Sequence, residues 1–137
     1  MATPLQVSVV SPEGVVWEGE AVSVLVRTTE GDVGILSNHE PFLAGIVPCG
    51  AEIVSPDGHR EILAVEGGFI SVWENRVSLL TDSASLARYI SLDQARTELA
   101  AMHEVFDSGN ATEEQQHQNN RLIAQVKAGE KYALFQD

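Results

Sequence analysis

Apolar and polar residues alternate with a period of two up to about Thr81. Leu5, Val7 and Val9 alternate with Gln6 and Ser8; Val22, Val24 and Val26 alternate with Ser23, Leu25 and Arg27; Ile70 and Val72 alternate with Ser71 and Trp73. Successive side chains of an extended strand point to opposite faces, so each run presents one face to a core. Turn chemistry falls between the runs: SPEG at 11–14, TEGD at 29–32, SPDG at 55–58, EGG at 66–68 and EN at 74–75. Proline at the second position of a type I turn presets φ, and glycine at the fourth tolerates the backbone angles by which the chain leaves the turn. Roughly eight to ten short strands fit between Leu5 and Thr81, the spacing of an all-β sandwich or barrel.

Beyond Ser83 the period changes. In SLDQARTELAAMHEVFD, residues 91–107, Leu92, Ala95, Leu99, Met102 and Phe106 recur at spacings of three and four, one face of a helix. Ser91 with Gln94 has the spacing of a capping box, and Asp93 suits the positive end of the helix. DSGN at 107–110 breaks it. Thr112 with Gln115 repeats the cap and opens a second helix, expected to run to about Ala128 with Gly129 as its stop. The two helices make an antiparallel αα-hairpin. The second reads as weak, because QQHQNN at 115–120 offers no apolar anchor and only Leu122, Ile123 and Val126 give it a face. Two readings of that weakness stand side by side: the helix frays, or it detaches and finds another surface.

Composition narrows the ligand class. The chain has 137 residues with 44% apolar, enough for an ordinary core, and no run approaches the ~18 apolar residues of a spanning helix. MATPLQVSVV lacks the basic region and cleavage pattern of a signal peptide, so the protein is expected to stay where it is made. Twenty acids face eight bases, a net charge of −12, which argues against nucleic acid and against adsorption on anionic lipid. Residues 1–84 hold three bases and twelve acids, net −9; residues 85–137 hold five bases and eight acids, net −3. A protein partner with positive patches is the natural ligand. Cys49 stands alone, which leaves no disulfide framework or thiolate cluster and reads as a structural thiol.

No catalytic motif is present: no GxGxxG, GxxxxGK[ST], GxSxG or HExxH. His39, His59, His103 and His117 fall on different elements without metal-ligand spacing. His39 adjoins Glu40, but neighbours on an extended segment point apart, so they read as loop residues rather than a dyad. Gly31 and Gly34 read as positions of positive φ or a bulge. Gly67-Gly68 has no helix after it to complete an anion site and reads as a close crossing of two strands. Core placement is the default for Trp17 and Trp73, with a part-exposed interface position as the alternative.

Three stretches together carry a family likeness. GDVGILSNHEPFLAGI, EGGFISVWENRVSLLTDSA and LQVSVVSPEGVVWEGEAVSVLVRTTEG, spanning residues 5–84 in order, resemble the G-E-x-G-I-x-x-x-H-x-P, G-G-F/I-x-E-V-x-x-N and L-x-V-x-I-V-S-P-E segments of the ε subunit family of F-type rotary ATP synthases. The resemblance implies a ten-stranded β-sandwich over residues 1–84 that binds the γ subunit and rests on the ring of c subunits. Residues 85–137 would be a regulatory helical hairpin able to reach the α and β subunits. The whole would be a non-catalytic part of the central rotor stalk, coupling proton-driven c-ring rotation to ATP synthesis. It would sit peripherally on the cytoplasmic face of a bacterial plasma membrane, held there only through the complex. Carried over by position, Asp32, Leu36, His39 and Phe42 form the contact loop for the c ring and γ, with Asp32 and His39 in the same loop. Inhibitory relatives grip an acidic segment of β with a basic hairpin, whereas here Arg121, Lys127 and Lys131 are the only bases of the second helix and tail. Weak inhibition is the implication. Some relatives bind ATP through an I/L-D-x-x-R-A motif and further arginines. LDQAR at 92–96 supplies Asp93 and Arg96, Thr97 replaces the alanine, Arg121 aligns with one further arginine, and His103 and Gln125 stand where others would fall. ATP as a weak regulatory ligand is therefore the alternative function, that of a nucleotide-sensing module; no other cofactor is implied. A β-sandwich binding module unrelated to energy coupling is the third reading.

Overall fold

The computed structural model describes residues 3–135. Ten strands come first: β1 (Leu5–Ser11), β2 (Gly14–Ala21), β3 (Ser23–Thr28), β4 (Gly31–Leu36), β5 (Phe42–Ile46), β6 (Cys49–Val54), β7 (Arg60–Val65), β8 (Gly68–Trp73), β9 (Arg76–Thr81) and β10 (Ala84–Leu86). A short 3₁₀ turn (Ala87–Tyr89) leads to α1 (Leu92–Asp107) and α2 (Glu113–Leu134). The strands pair in the order β10-β7-β6-β3-β5-β8-β9-β1-β2, with β4 on the other edge of β3. β3 and β5 share only the pair Thr28↔Ile46. The ladder therefore divides there into a first sheet, β5-β8-β9-β1-β2, and a second, β4-β3-β6-β7-β10, which face each other as a sandwich.

The alternation read from the sequence closes the space between them. Leu5, Val9, Ile70 and Leu79 from the first sheet meet Val24, Ile35, Ile53 and Leu63 from the second, all fully buried in one cluster. Each such side chain stabilises the fold by about 1.5–3 kcal/mol on burial. Two positions depart from the expected burial. Val22 lies in the link between β2 and β3 and is exposed, because the strand that buries Val24 and Val26 begins only at Ser23. Trp73 ends β8 on the outward parity, opposite to buried Ile70 and Val72, and is 57% exposed. Trp17 is partly buried against the core.

Turns follow their residues. Glu74 and Asn75 both take positive φ, 47° and 62°, and close the two-residue hairpin between Trp73 and Arg76. Gly68 has φ +131°, and a Cβ there would lie 2.0 Å from the Leu80 carbonyl oxygen, so the close crossing of β8 and β9 requires glycine. Gly31 has positive φ, whereas Gly34 sits in an unbroken register with Leu25 and forms no bulge.

The hairpin packs on the second sheet. β7 is buried along almost its whole length: Leu63 and Val65 face the sandwich core, while Ile62 and Ala64 join Ala87, Ala124 and Ala128 in a second cluster. α2 lies across β6 and β7, and α1 rests on α2. The expected stop at Gly129 is wrong: α2 continues to Leu134 with Gly129 buried inside it. A Cβ on Gly129 would meet the Leu92 side chain at 3.0 Å, and one on Gly50 of β6 would lie 2.8 Å from the Cα of Ala128. Both glycines let α2 come close to its neighbours, one to α1 and the other to the sheet. The expected weakness holds for only half of this helix, whose buried residues all fall in Leu122–Gly129. At the helix starts, Thr112 and Gln115 complete a capping box. Ser91 accepts the Gln94 amide at 3.3 Å, but the Gln94 side chain turns away to Glu98, so only half of that box forms.

Candidate interaction surfaces

Among the described residues nothing covers the outer face of the first sheet. Register places Gly45, Phe69, Leu80, Val10 and Val15 in one row across five strands. Phe69, Leu80 and Val15 are 56–60% exposed, and Leu43 and Trp73 extend the apolar surface on the same side. A contiguous apolar patch of this kind marks a contact surface. The outward parity of Phe69, Ser71 and Trp73 was already visible in the alternation of β8.

Of the residues assigned to a contact loop, Leu36, His39 and Phe42 come together at one end of the sandwich, and Asp32 does not. Leu36 is 61% exposed at the end of β4. His39 donates from Nδ1 to the Glu40 backbone carbonyl at 2.7 Å and sets its ring edge-on to Phe42, with centroids 5.8 Å apart. The Glu40 carboxylate has no part in this, so His39 shapes the loop. Asn38, with φ 65°, donates its N–H to Asn75 Oδ1 at 2.6 Å and accepts from Asn75 Nδ2 at 3.2 Å. This side-chain exchange ties the second sheet to the β8–β9 turn of the first and was not anticipated from sequence. Asp32 lies near the opposite end of β4, so it does not share a loop with His39. It pairs across the hairpin with Arg27 at 2.9 Å. The hydrogen bond from Arg27 holds the Asp32 carboxyl below its ordinary range, and the same bond raises Arg27.

The three hairpin residues assigned to nucleotide are also apart. Asp93 is exposed in the first turn of α1, where its backbone carbonyl accepts from Thr97 Oγ1. Arg96 pairs with Glu130 at 3.0 Å. Arg121 points to Glu66 at 3.5 Å. Arg121 and Glu130 are nine positions apart on α2, so Arg121 and the point where Arg96 lands fall on roughly opposite sides of that helix. Glu66, 5% exposed, also receives His117 at 2.8 Å. Sequence reading took EGG only as a turn and missed this cluster. Beside Asp32, Leu25, Cys49, Lys127, Lys131 and Leu134 line a shallow cleft of about 380 Å³. Burial pushes the Cys49 thiol up, consistent with a structural thiol. Among the described residues no group of three or more His, Cys, Asp or Glu could hold a metal ion, and no helix is long and apolar enough to cross a membrane.

A sandwich with one sheet bare and the other covered by a helical hairpin has close counterparts. Residues 4–87 match the family described as "ATP synthase, Delta/Epsilon chain, beta-sandwich domain". The chain is 44% identical over 112 residues to the ATP synthase epsilon chain of Cutibacterium acnes, covering 81% of this chain and 77% of that one. It is 41% identical over 99 residues to the epsilon chain of Streptomyces avermitilis, covering 72% and 80%. The fold matches a chain of the Euglena gracilis mitochondrial ATP synthase (OSCP/F1/c-ring in rotational state 1) with TM-score 0.73 at 19% identity, covering 96% and 81%. A chain of the Tetrahymena thermophila mitochondrial ATP synthase central stalk and c-ring matches with TM-score 0.55 at 15% identity, covering 96% and 97%. The protein thus belongs to the ATP synthase delta/epsilon chain family. Within that family its place is with the bacterial epsilon chains.

Proposed function

We propose that this chain is a non-catalytic subunit of the central rotor stalk, which passes proton-driven rotation of a c ring to the catalytic head of an F-type ATP synthase. The observation that carries the reading is the bare apolar face of the first sheet. Phe69, Leu80, Leu43, Trp73 and Val15 stand outward there on a strand framework held rigid from behind by the core. A γ subunit is the partner that covers this face. The end of the sandwich around Glu30 and Asp32 turns toward the c ring, where the exposed Glu30 carboxylate, beside the Arg27–Asp32 pair, suits a basic loop. Attachment to the cytoplasmic face of the membrane runs through these partners.

Nucleotide sensing is less well supported, because ATP at LDQAR would have to displace Glu130 from Arg96, and Arg121 is drawn away to Glu66. Co-expression with a γ subunit of a bacterial ATP synthase tests the main reading. Stable co-elution is expected; a chain that never co-elutes with γ and never appears in membrane ATPase preparations contradicts it. For the nucleotide reading, amide shifts of the hairpin at several millimolar ATP, lost in Arg96→Ala, would reinstate it.

A further inference from the structure

The two halves of α2 hold to the sandwich by different chemistry. From Leu122 onward the helix is anchored by buried apolar residues and by the close approach at Gly50. Residues 113–121, EEQQHQNNR, contain no apolar side chain. Among the described residues, their side-chain hydrogen bonds and ion pairs to the sandwich all go to one carboxylate. Glu66, in the link after β7, is nearly inaccessible and fixed through its backbone N–H to the Ser83 carbonyl. His117 Nδ1 lies 2.8 Å from one oxygen of Glu66, and Arg121 Nε lies 3.5 Å from the other. His117 and Arg121 are four positions apart and so share a face of the helix. A buried carboxylate left without its cations is strongly destabilising, so this contact has to be kept filled while the helix is docked.

The surroundings favour a protonated His117 in the docked form. Asp82, from the β9–β10 link, and Glu113 and Glu114, from the first turn of α2, line the same recess, and Arg121 is the one opposing cation facing it among the described residues. The hydrogen bond to Glu66, then its charge, raise His117 above its ordinary 6.5. A group whose docked value is raised lends its full stability below the ordinary value and loses it as pH rises through the docked value. Arg121 keeps its charge throughout, so the change is a loosening rather than a release.

We propose that Glu66, His117 and Arg121 form a clasp whose grip on the N-terminal half of α2 is set by pH: closed with His117 protonated, loosened with His117 neutral. The device would make the first turns of α2, rather than its apolar C-terminal half, the part of the hairpin that responds to pH near neutrality.

Hydrogen exchange of the full chain at about pH 6 and about pH 8, corrected for the intrinsic pH dependence of exchange, reads this directly. Protection of amides 116–122 is expected to fall about two- to fivefold between the two, the scale of a half-exposed charge pair. Amides 124–131 should not change. In His117→Gln the fall at 116–122 should vanish, and in Glu66→Gln the His117 ring should titrate at a lower midpoint than in the parent chain by NMR. Because Glu66 is buried and its variant can fail to fold, the exposed His117→Gln variant decides alone if necessary. Equal protection at both pH values in the parent chain, or an undiminished fall in His117→Gln, overturns the proposal.

Discussion

The two sheets of the sandwich share one core and differ on their outer faces. On the second sheet, β7 carries apolar residues on both parities, Ile62 and Ala64 outward as well as Leu63 and Val65 inward, and its outer face is covered by α2. On the first sheet, β8 alternates strictly, with Ile70 and Val72 inward, yet its outward positions include Phe69 and Trp73, and nothing among the described residues covers them. The contrast separates a face covered by the chain's own helix from an apolar face left uncovered among the described residues. Where the chain covers a sheet itself, glycine and alanine stand at the tightest outward points, so that a helix can lie close. Where nothing among the described residues covers it, large apolar side chains such as Phe69, Trp73 and Leu80 stand free.

Neighbouring positions on β8 give the widest contrast. Ile70→Ala should cost about 2–5 kcal/mol by denaturant unfolding, because the cavity opens in the core shared by both sheets. Phe69→Ser, one residue away, should stay within about 0.5 kcal/mol. Similar losses at both would show that the first sheet has no bare face.

Gly50→Leu comes next. It forces a side chain into the Cα of Ala128 and should cost about 1–3 kcal/mol, felt as lost protection of α2 while the sandwich amides keep theirs. Loss of protection in both sheets instead would mean the hairpin is integral to the core rather than laid on it. The smallest effect is expected at Asp32→Asn. The Arg27–Asp32 pair is more than half exposed, so at most a small drop in unfolding midpoint should appear at neutral pH. Because the Asp32 carboxyl is held low, whatever the pair contributes is present above the ordinary value of 3.8 and is lost only as pH falls through the lowered one. Any difference between the two chains by circular dichroism should therefore lie above that range and close as the pH falls through it.

Local chemistry was legible in the sequence, and distant contacts were not. Period two located the strands, SPDG and EN marked their turns, and Ser91 and Thr112 marked both helix starts, because each signal lies within a few residues of the feature it specifies. Gly129 shows the limit: a glycine after an apolar stripe reads as a stop, and only the approach of Leu92, 37 positions earlier, makes it a packing position inside the helix. Trp73 was legible after all, since the parity of Ile70 and Val72 sends it outward; the general tendency of tryptophan toward the core outweighed that parity. In the contact surfaces, the loop around His39 read correctly as shaped backbone, but Asp32 was placed in that loop because alignment shows order along the chain and not the length of β4 between them. Glu66 gave no local signal, for its partners lie 51 and 55 positions away on a helix whose path the sequence does not state.

Whether γ docks on the uncovered face of the first sheet is decided by one comparison. The double variant Phe69→Ser/Leu80→Ser and the single variant Leu134→Ser, the latter at an 80% exposed position on the hairpin, are each co-expressed with γ and followed by size-exclusion chromatography. With both chains folded as judged by thermal melting, the double variant should separate from γ while Leu134→Ser co-elutes as the parent chain does. Co-elution of the double variant at undiminished affinity would contradict docking at that face.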